Sequence, residues 1–81
     1  METETLNIDD IYVPVKRLQT LDSATVESLA DSILEDGQKT PISVRHDGNR
    51  FVLVEGLHRL EACRSLGETT IRAIIGGARQ H

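Results

Sequence analysis

The clearest pattern in the chain is a run of apolar positions at helical spacing. The apolar side chains recur three or four residues apart, at Val26, Leu29, Ala30 and Ile33. Asp22 or Ser23 precedes the run and can accept a hydrogen bond from a free backbone N–H, as N-cap residues do. Gly37 follows it and suits the left-handed conformation that commonly ends a helix. The pattern therefore predicts a helix over residues 23–36.

Strand patterns fill the second half of the chain. Residues 42–45 alternate apolar and polar side chains, and residues 50–54 are apolar on both faces, which is typical of a strand inside a sheet. Asp47-Gly48 between them indicates a two-residue hairpin turn, because both residues tolerate positive φ. Residues 69–75 are mostly apolar or β-branched, and this composition predicts a last strand.

The remaining segments complete the order β-α-β-β-α-β. Residues 8–14 suggest a short strand ended by proline, residues 15–21 a loop, and residues 57–66 a second helix. We expect residues 1–7 to be disordered and residues 76–81 to fray. The predicted fold class is α+β, a small mixed sheet with two main helices, in one domain over residues 8–75.

Composition excludes several classes of function. The 81 residues allow one small core, and the lack of Trp with one Phe and one Tyr makes that core aliphatic. So few aromatic residues exclude a stacking platform for single-stranded nucleic acid. The formal net charge of −4 argues against a broad basic surface for DNA.

Cys63 is the single cysteine, which limits the disulfides and the metal sites that the chain can form. One cysteine forms no internal disulfide, and the sequence offers no zinc-ligand spacing, so we expect no metal site. We expect a cytoplasmic protein without contact to a membrane, since no apolar run approaches the length of a membrane span.

Two basic side chains stand at the unfavourable end of the second helix. His58 and Arg59 fall in its first turn, where the macrodipole carries partial positive charge and favours acids. On a helical wheel Arg59 lies about 200° from Leu57, amid the apolar side chains. A charge placed there needs a partner, because burying it unpaired costs on the order of several kcal/mol.

Two kinds of partner would satisfy Arg59. One is an internal salt bridge to Glu55 or to a carboxylate of the other helix. The other is a bound anion such as phosphate, held by the free N–H groups of residues 57–59, with Gly56 permitting its close approach. Arg17 could close over the same ligand from its loop, or it could be an ordinary solvated charge.

The motifs occur in a recognisable order. They are Leu29-Ala30-x-Ser32-Ile33, then Gly37-x-x-x-Pro41-Ile42-x-Val44, then Val54-x-Gly56-x-His58-Arg59-Leu60-x-Ala62 with Leu66-Gly67. This ordered set resembles the ParB N-terminal domain of the ParB/sulfiredoxin superfamily, from about residue 8 to residue 75. The resemblance implies a ParB/sulfiredoxin-like fold that binds a nucleoside triphosphate: CTP in partition proteins, ATP in sulfiredoxins and free-serine kinases.

The resemblance also implies where the phosphates bind. In the family they lie at the N-terminus of the second helix, which here corresponds to Gly56, Leu57, His58 and Arg59. Arg17 matches more loosely, through a loop in which an arginine follows a proline. Magnesium with the nucleotide is part of the same expectation.

Departures from the family bear on activity. Leu57 occupies the position of the catalytic cysteine in the G-C-H-R motif of sulfiredoxins, so we expect no reductase activity. Partition proteins have G-E-R-R and a further arginine here; this chain keeps Gly56 and Arg59, whereas Leu57, His58 and Glu61 replace the glutamate and the other two arginines. Because partition proteins bind DNA through a helix-turn-helix beyond this domain, we do not expect sequence-specific DNA binding from these residues alone.

The sequence thus favours a nucleotide-binding module that regulates or binds a partner, such as a DNA-associated protein, in a partition, plasmid or phage system. One alternative is an enzyme on the same fold, either a phosphotransferase or a nuclease; Glu55 and Glu61 are the acids close to the phosphate motif. A second alternative is a protein-interaction domain that has lost the ligand, in which Arg59 would pair with a carboxylate.

Overall fold

A computed structural model of the chain describes residues 3–76. A short 3-10 helix at Ile8–Asp10 accompanies the strands and helices. The elements are β1 (Thr3–Asn7), β2 (Ile11–Tyr12), α1 (Val15–Leu18), α2 (Ser23–Asp36), β3 (Ile42–Asp47), β4 (Arg50–Glu55), α3 (Leu57–Ser65) and β5 (Thr70–Ile75). Among these residues no helix has the length and apolar character to cross a bilayer.

The strands form one mixed sheet in the order β1-β5-β3-β4-β2. β1 pairs antiparallel with β5, and β3 pairs antiparallel with β4. β3 and β5 are parallel neighbours, as are β2 and β4. The predicted α+β class with a mixed sheet is confirmed, and β4 lies inside the sheet as its apolar composition predicted.

Helix α3 covers one face of the sheet. The core side chains come from β3, β4, β5 and the buried side of α3: Ile42, Val44, Leu53, Ile71, Ala73, Leu57, Leu60, Ala62 and Cys63. Helix α2 packs on α3 and contributes one buried side chain, Ile33. Apart from the Cys63 thiol, the buried hydrophobic side chains within residues 3–76 are aliphatic, as predicted.

Helix α2 has the predicted boundaries because both ends carry the expected caps. The Asp22 carboxylate accepts a hydrogen bond from the Thr25 N–H at 3.2 Å and another from the Thr25 hydroxyl. These two hydrogen bonds are the main reason that the pKa of Asp22 lies below its ordinary value. At the other end Gly37 has φ 81°, and its N–H donates to the Ile33 carbonyl at 2.7 Å.

The N-terminal region corrects two expectations. Residues 3–7, expected to be disordered, form strand β1 because Leu6 is buried opposite Ile71 on β5. The strand expected over residues 8–14 is reduced to Ile11–Tyr12, preceded by the 3-10 helix. In an extended strand two side chains three residues apart point to opposite faces, whereas the tight turn directs both Ile8 and Ile11 into the core.

Two further boundaries differ from the prediction. The segment expected to be a loop contains the single turn of α1, which Pro14 precedes with φ −57°. The hairpin turn lies one residue later than expected, since Asp47 pairs with Arg50 and leaves Gly48 and Asn49 as the turn residues. Gly48 takes the positive φ of 64°. The predicted fraying falls largely on residues 77–81, which lie outside the described residues.

We expect Leu60→Ala to lower the free energy of unfolding by about 2–5 kcal/mol, because Leu60 is fully buried in the core and its truncation leaves a cavity. Leu34→Ala is the matched control. Leu34 is 71% exposed, so the same chemical change should alter stability by less than about 0.5 kcal/mol. Urea unfolding followed by circular dichroism measures both, and equal losses would contradict the placement of α3 on the sheet.

Candidate functional site

A glycine joins strand β4 to helix α3. Gly56 adopts φ 109° and ψ 29°, a left-handed conformation that side-chain-bearing residues rarely take. A Cβ at this position would stand 2.6 Å from Cγ2 and 2.9 Å from Cβ of Ile42, at the start of β3. Both the conformation and the available space therefore require glycine, and its absent side chain allows α3 to begin against β3.

The first turn of α3 has no side-chain cap. Its first backbone hydrogen bond to the junction runs from the Leu60 N–H to the Gly56 carbonyl at 2.9 Å. The N–H groups of residues 57–59 consequently have no acceptor within the helix, and the partial positive charge of the macrodipole is concentrated on them. An acceptor of negative charge is the chemically matching occupant of this end of the helix.

A cavity of about 460 Å³ lies at this helix end. All five residues that the sequence selected as phosphate-binding candidates line it: Arg17, Gly56, Leu57, His58 and Arg59. The remaining lining residues are Thr20, Thr40, Pro41, Ser43 and Glu55. The fold therefore brings the candidates together, while their role in ligand binding stays a prediction.

Arg59 is half-buried at the edge of the cavity. The ion pairs within residues 3–76 join Arg50 to Asp47 and Arg64 to Glu61, and neither involves Arg59. The internal salt bridge considered from the sequence is thus not made in the described part of the chain, although Glu55 lines the same cavity. Arg59 retains a charge that an incoming anion can neutralise.

His58 connects the starts of the two long helices. Its Nε2 accepts a hydrogen bond at 3.0 Å from the backbone N–H of Asp22, the N-cap of α2. His58 therefore lies between the cavity and the N-terminus of α2, and its ring orients this part of the cavity wall.

Arg17 reaches the cavity from α1. Its guanidinium donates a hydrogen bond to the carbonyl of Val54, two residues before the strand–helix junction. This contact holds the segment between β2 and α2 against the end of β4. The single turn of α1 sets the position of Arg17. The sequence predicted a loop here, so it did not fix where Arg17 lies relative to the cavity.

The sequence interpretation missed the hydroxyl-bearing wall of the cavity. Thr40 lies two residues before β3, and Ser43, near the start of β3, pairs with Glu55 across the hairpin. Counting backwards from the Asp47-Gly48 turn would have placed the start of β3 beside the end of β4, and hence beside Gly56. No pattern in the sequence places Thr20 at the cavity, because its position depends on how the connection between β2 and α2 folds.

The described residues offer neither a cluster of protein metal ligands nor a reactive thiol. No group of three His, Cys, Asp or Glu residues that could hold a metal ion occurs in the part of the chain that the structure describes. Burial raises the pKa of the Cys63 thiol, with a smaller contribution from Glu68, and Arg59 only partly offsets this. Cys63 is therefore a core side chain in its thiol form and a poor nucleophile.

Comparison with known proteins identifies relatives along the whole chain. A profile of the family described as ParB N-terminal domain matches residues 1–81. A probable chromosome-partitioning protein ParB from Campylobacter jejuni is 37% identical over 71 residues, which cover 86% of this chain and 26% of that protein. The chain thus spans about a quarter of the length of this curated relative.

Solved structures share the fold. Sulfiredoxin from Arabidopsis thaliana superposes with a TM-score of 0.87 at 32% identity, covering 96% of this chain and 88% of that one. A C-terminally truncated ParB from Caulobacter crescentus, complexed with CTP-gamma-S, superposes with a TM-score of 0.82 at 21% identity. That match covers 99% of this chain and 47% of the other, and at this identity it shows the fold alone.

We expect Gly56→Ala to lower the free energy of unfolding by about 2–4 kcal/mol, because the new Cβ would meet Ile42 and strain a left-handed backbone. Gly48→Ala is the control. Gly48 also has positive φ but no atom within 4 Å of a built Cβ, so we expect about 1–2 kcal/mol. Thermal and urea unfolding measure both, and a cost at Gly56 no greater than at Gly48 would contradict the close approach.

Proposed function

The chain belongs to the ParB N-terminal domain family, and we propose that its cavity binds the phosphates of a nucleoside triphosphate, CTP or ATP. The observation that carries the proposal is the setting of Arg59. It is half-buried beside an uncapped helix N-terminus, in a cavity, without an ion-pair partner in residues 3–76. A phosphate would neutralise the guanidinium and accept hydrogen bonds from the N–H groups of residues 57–59.

The size and charge of the cavity support this ligand class. About 460 Å³ lies within the range of roughly 300–1,000 Å³ typical of small-molecule sites. Two arginines, Arg17 and Arg59, line it against one carboxylate, that of Glu55, so arginine outnumbers carboxylate. Arg17 would supply a second guanidinium if it exchanged its bond to the Val54 carbonyl for a phosphate oxygen.

Magnesium fits the donors that line the cavity. A magnesium ion that arrives on phosphates retains waters and needs only one or two protein carboxylates. Glu55 is a carboxylate in the cavity wall, and Ser43, which also lines the cavity, pairs with it across the hairpin. We propose that these two residues face such an ion, whose contribution would be to neutralise phosphate charge.

The biological role follows from the curated relative. Because that relative is a probable chromosome-partitioning protein, we propose that the domain regulates or binds a partner, such as a DNA-associated protein, in a partition, plasmid or phage system. The chain spans 26% of that relative, so partition itself belongs to the proposal. The predicted cytoplasmic setting belongs to it as well.

One alternative function has support from a specific residue. Glu55 lines the cavity as a carboxylate, which gives a phosphotransferase a candidate general base next to the proposed phosphates. A nuclease would need an acidic metal cluster, and residues 3–76 offer none. A domain that had lost its ligand would pair Arg59 with a carboxylate, which is not seen among the ion pairs of the described residues.

We expect Arg59→Ala to weaken nucleotide binding by about tenfold to a hundredfold, because it removes a charge-assisted contact to phosphate. Arg64→Ala is the matched control, since Arg64 lies on the same helix, pairs with Glu61 and does not line the cavity. Isothermal titration with CTP, ATP and GTP in the presence of magnesium measures the affinities. Absence of binding at about 1 mM nucleotide would contradict the proposed function.

The same samples separate binding from catalysis. Incubation with nucleotide, magnesium and free serine, followed by phosphorus NMR, detects consumption of the nucleotide. Turnover that disappears in Glu55→Gln while binding persists would favour the phosphotransferase. An unchanged nucleotide over the same period supports a binding module.

A further inference from the structure

Strands β1 and β2 form the two outer edges of the sheet. The β2 edge offers little room, because β2 has only two residues and Arg17 donates a hydrogen bond to the Val54 carbonyl of the neighbouring β4. β1 has five residues, of which four are exposed: Thr3, Glu4, Thr5 and Asn7. β1 is therefore the edge to which a further strand can be added.

Backbone hydrogen bonds show which groups of β1 point outward. Ile8, the residue after β1, donates its N–H to the Thr69 carbonyl at 2.9 Å. In an antiparallel pair such bonds recur at every second residue, so Leu6 and Glu4 also turn their N–H groups toward β5. The N–H groups of the alternate residues point away from the sheet, at Thr3, Thr5 and Asn7.

The other side of β5 agrees with this assignment. If residues 71 and 73 bond to β1, residues 72, 74 and 76 turn toward β3. The Arg72 N–H does so, since it donates at 3.3 Å to the side chain of Gln38, four residues before β3. The Gly76 N–H donates to the Val44 carbonyl of β3 at 2.7 Å. Within residues 3–76 the outward backbone groups of β1 at residues 3 and 5 consequently have no hydrogen-bond partner.

Strand β1 lacks the features that usually protect an edge. Edge strands often carry proline, lysine or a bulge, each of which hinders pairing with another strand. β1 has neither proline nor lysine, and its register with β5 runs without a shift from Thr3 to Asn7. Leu6 is its only apolar residue, so the strand is too polar to aggregate without selectivity. Its backbone groups remain available to a specific partner.

The side chains beside this edge favour an acidic partner. Leu6 and Ile71 are buried in the core, so their strand neighbours Thr5 and Arg72 lie on the face turned away from α3. Arg72 stands opposite Thr5, is exposed, and takes part in no ion pair within residues 3–76. The backbone of an added strand would lie about 10 Å from that of β5. A glutamate on it would meet the Arg72 guanidinium across the short side chain of Thr5.

The other face of an added strand would adjoin the core. Leu6 is 9% exposed, so the core extends as far as the edge strand. A side chain opposite Leu6 points to the same side of the sheet, and an apolar one there would extend the core. Because side chains alternate between the two faces, the matching segment alternates acidic and apolar residues.

We propose that the outer edge of β1 binds an extended segment of a partner protein, which pairs antiparallel with β1 and alternates acidic and apolar side chains. The segment exchanges backbone hydrogen bonds with Thr3 and Thr5, and an acidic residue opposite Thr5 pairs with Arg72. Antiparallel pairing puts the bonding residues of the segment on the same face as Arg72. The proposal rests on no residue of the nucleotide cavity.

A peptide of about seven residues that alternates valine and glutamate is the probe. Fluorescence anisotropy of the labelled peptide with the full chain should give a Kd between about 10 µM and about 1 mM. In proton–nitrogen NMR spectra the amides of Thr3, Thr5 and Asn7 should shift most, and their hydrogen exchange should slow because they gain acceptors. Absence of binding at about 1 mM protein overturns the proposal. Shifts of these amides with protein concentration, in the absence of peptide, also overturn it, because the edge would then pair with a second copy.

Methylation of the peptide backbone supplies a control within the probe. In the antiparallel arrangement the glutamates opposite Thr3 and Thr5 are the residues whose N–H groups bond to β1. Methylating the valine nitrogens should leave the affinity within about threefold, whereas methylating the glutamate nitrogens should weaken it at least about tenfold. Equal affinities of the two methylated peptides contradict strand addition.

Thr5→Pro tests the backbone of β1. It removes an outward N–H that β5 does not use, so the fold should persist while the affinity for the peptide falls at least about tenfold. Thr5→Ala is the matched control, since it keeps the N–H and should bind within about threefold of the unaltered chain. Proton–nitrogen spectra establish that both variants are folded. Equal affinities of the two variants count against the proposal.

Arg72→Glu tests the charge and leaves the backbone of β1 unchanged. We expect it to bind the glutamate peptide at least about tenfold more weakly and to prefer a peptide that alternates valine and lysine. Arg45→Glu is the matched control, because Arg45 lies on the same face of the sheet but on β3, two strands from β1. We expect it to bind within about threefold of the unaltered chain. A loss as large as that in Arg72→Glu would show an effect of net charge alone and would overturn the assigned pairing.

Discussion

The close approach of Gly56 to Ile42 is the constraint on which the site depends. It sets the start of α3 directly against the start of β3, in a space too small for a Cβ. The uncapped N–H groups of the helix, the hydroxyls of Thr40 and Ser43 and the Glu55 carboxylate meet around one cavity for this reason. A larger residue at the junction would separate the helix end from the strand that completes the wall.

Two hydrogen bonds between side chains and backbone groups then hold the segment between β2 and α2, which forms the rest of the cavity wall. Arg17 donates to the Val54 carbonyl, and His58 accepts from the Asp22 N–H, so the connection between β2 and α2 is held at its middle and at its α2 end. Partly exposed hydrogen bonds of this kind contribute on the order of 1 kcal/mol each.

Local signals in the sequence were sufficient to predict the elements whose ends are marked by capping or flanking residues. Helix α2 was predicted to the residue because Asp22 and Gly37 cap it, and α3 was found because Gly56 and Gly67 flank an apolar pattern. Strand β1 was missed because its polar residues become a strand only through pairing with β5. The partner of His58 was equally hidden, since it depends on how α2 packs against α3. Arg59 could be selected from its place on the helical wheel alone.

The pairing of β1 with β5 also governs the order in which the fold can be completed. Thr3 lies opposite Ile74 and Asn7 opposite Thr70, so the sheet joins residues from nearly opposite ends of the described chain. During synthesis β1 emerges from the ribosome first and waits for β5, which emerges last. β3 also lacks its parallel neighbour until then. The middle of the sheet and both long helices can form earlier, but the far edge closes only once β5 is available, and pairings between residues so far apart in sequence are intrinsically slow to form.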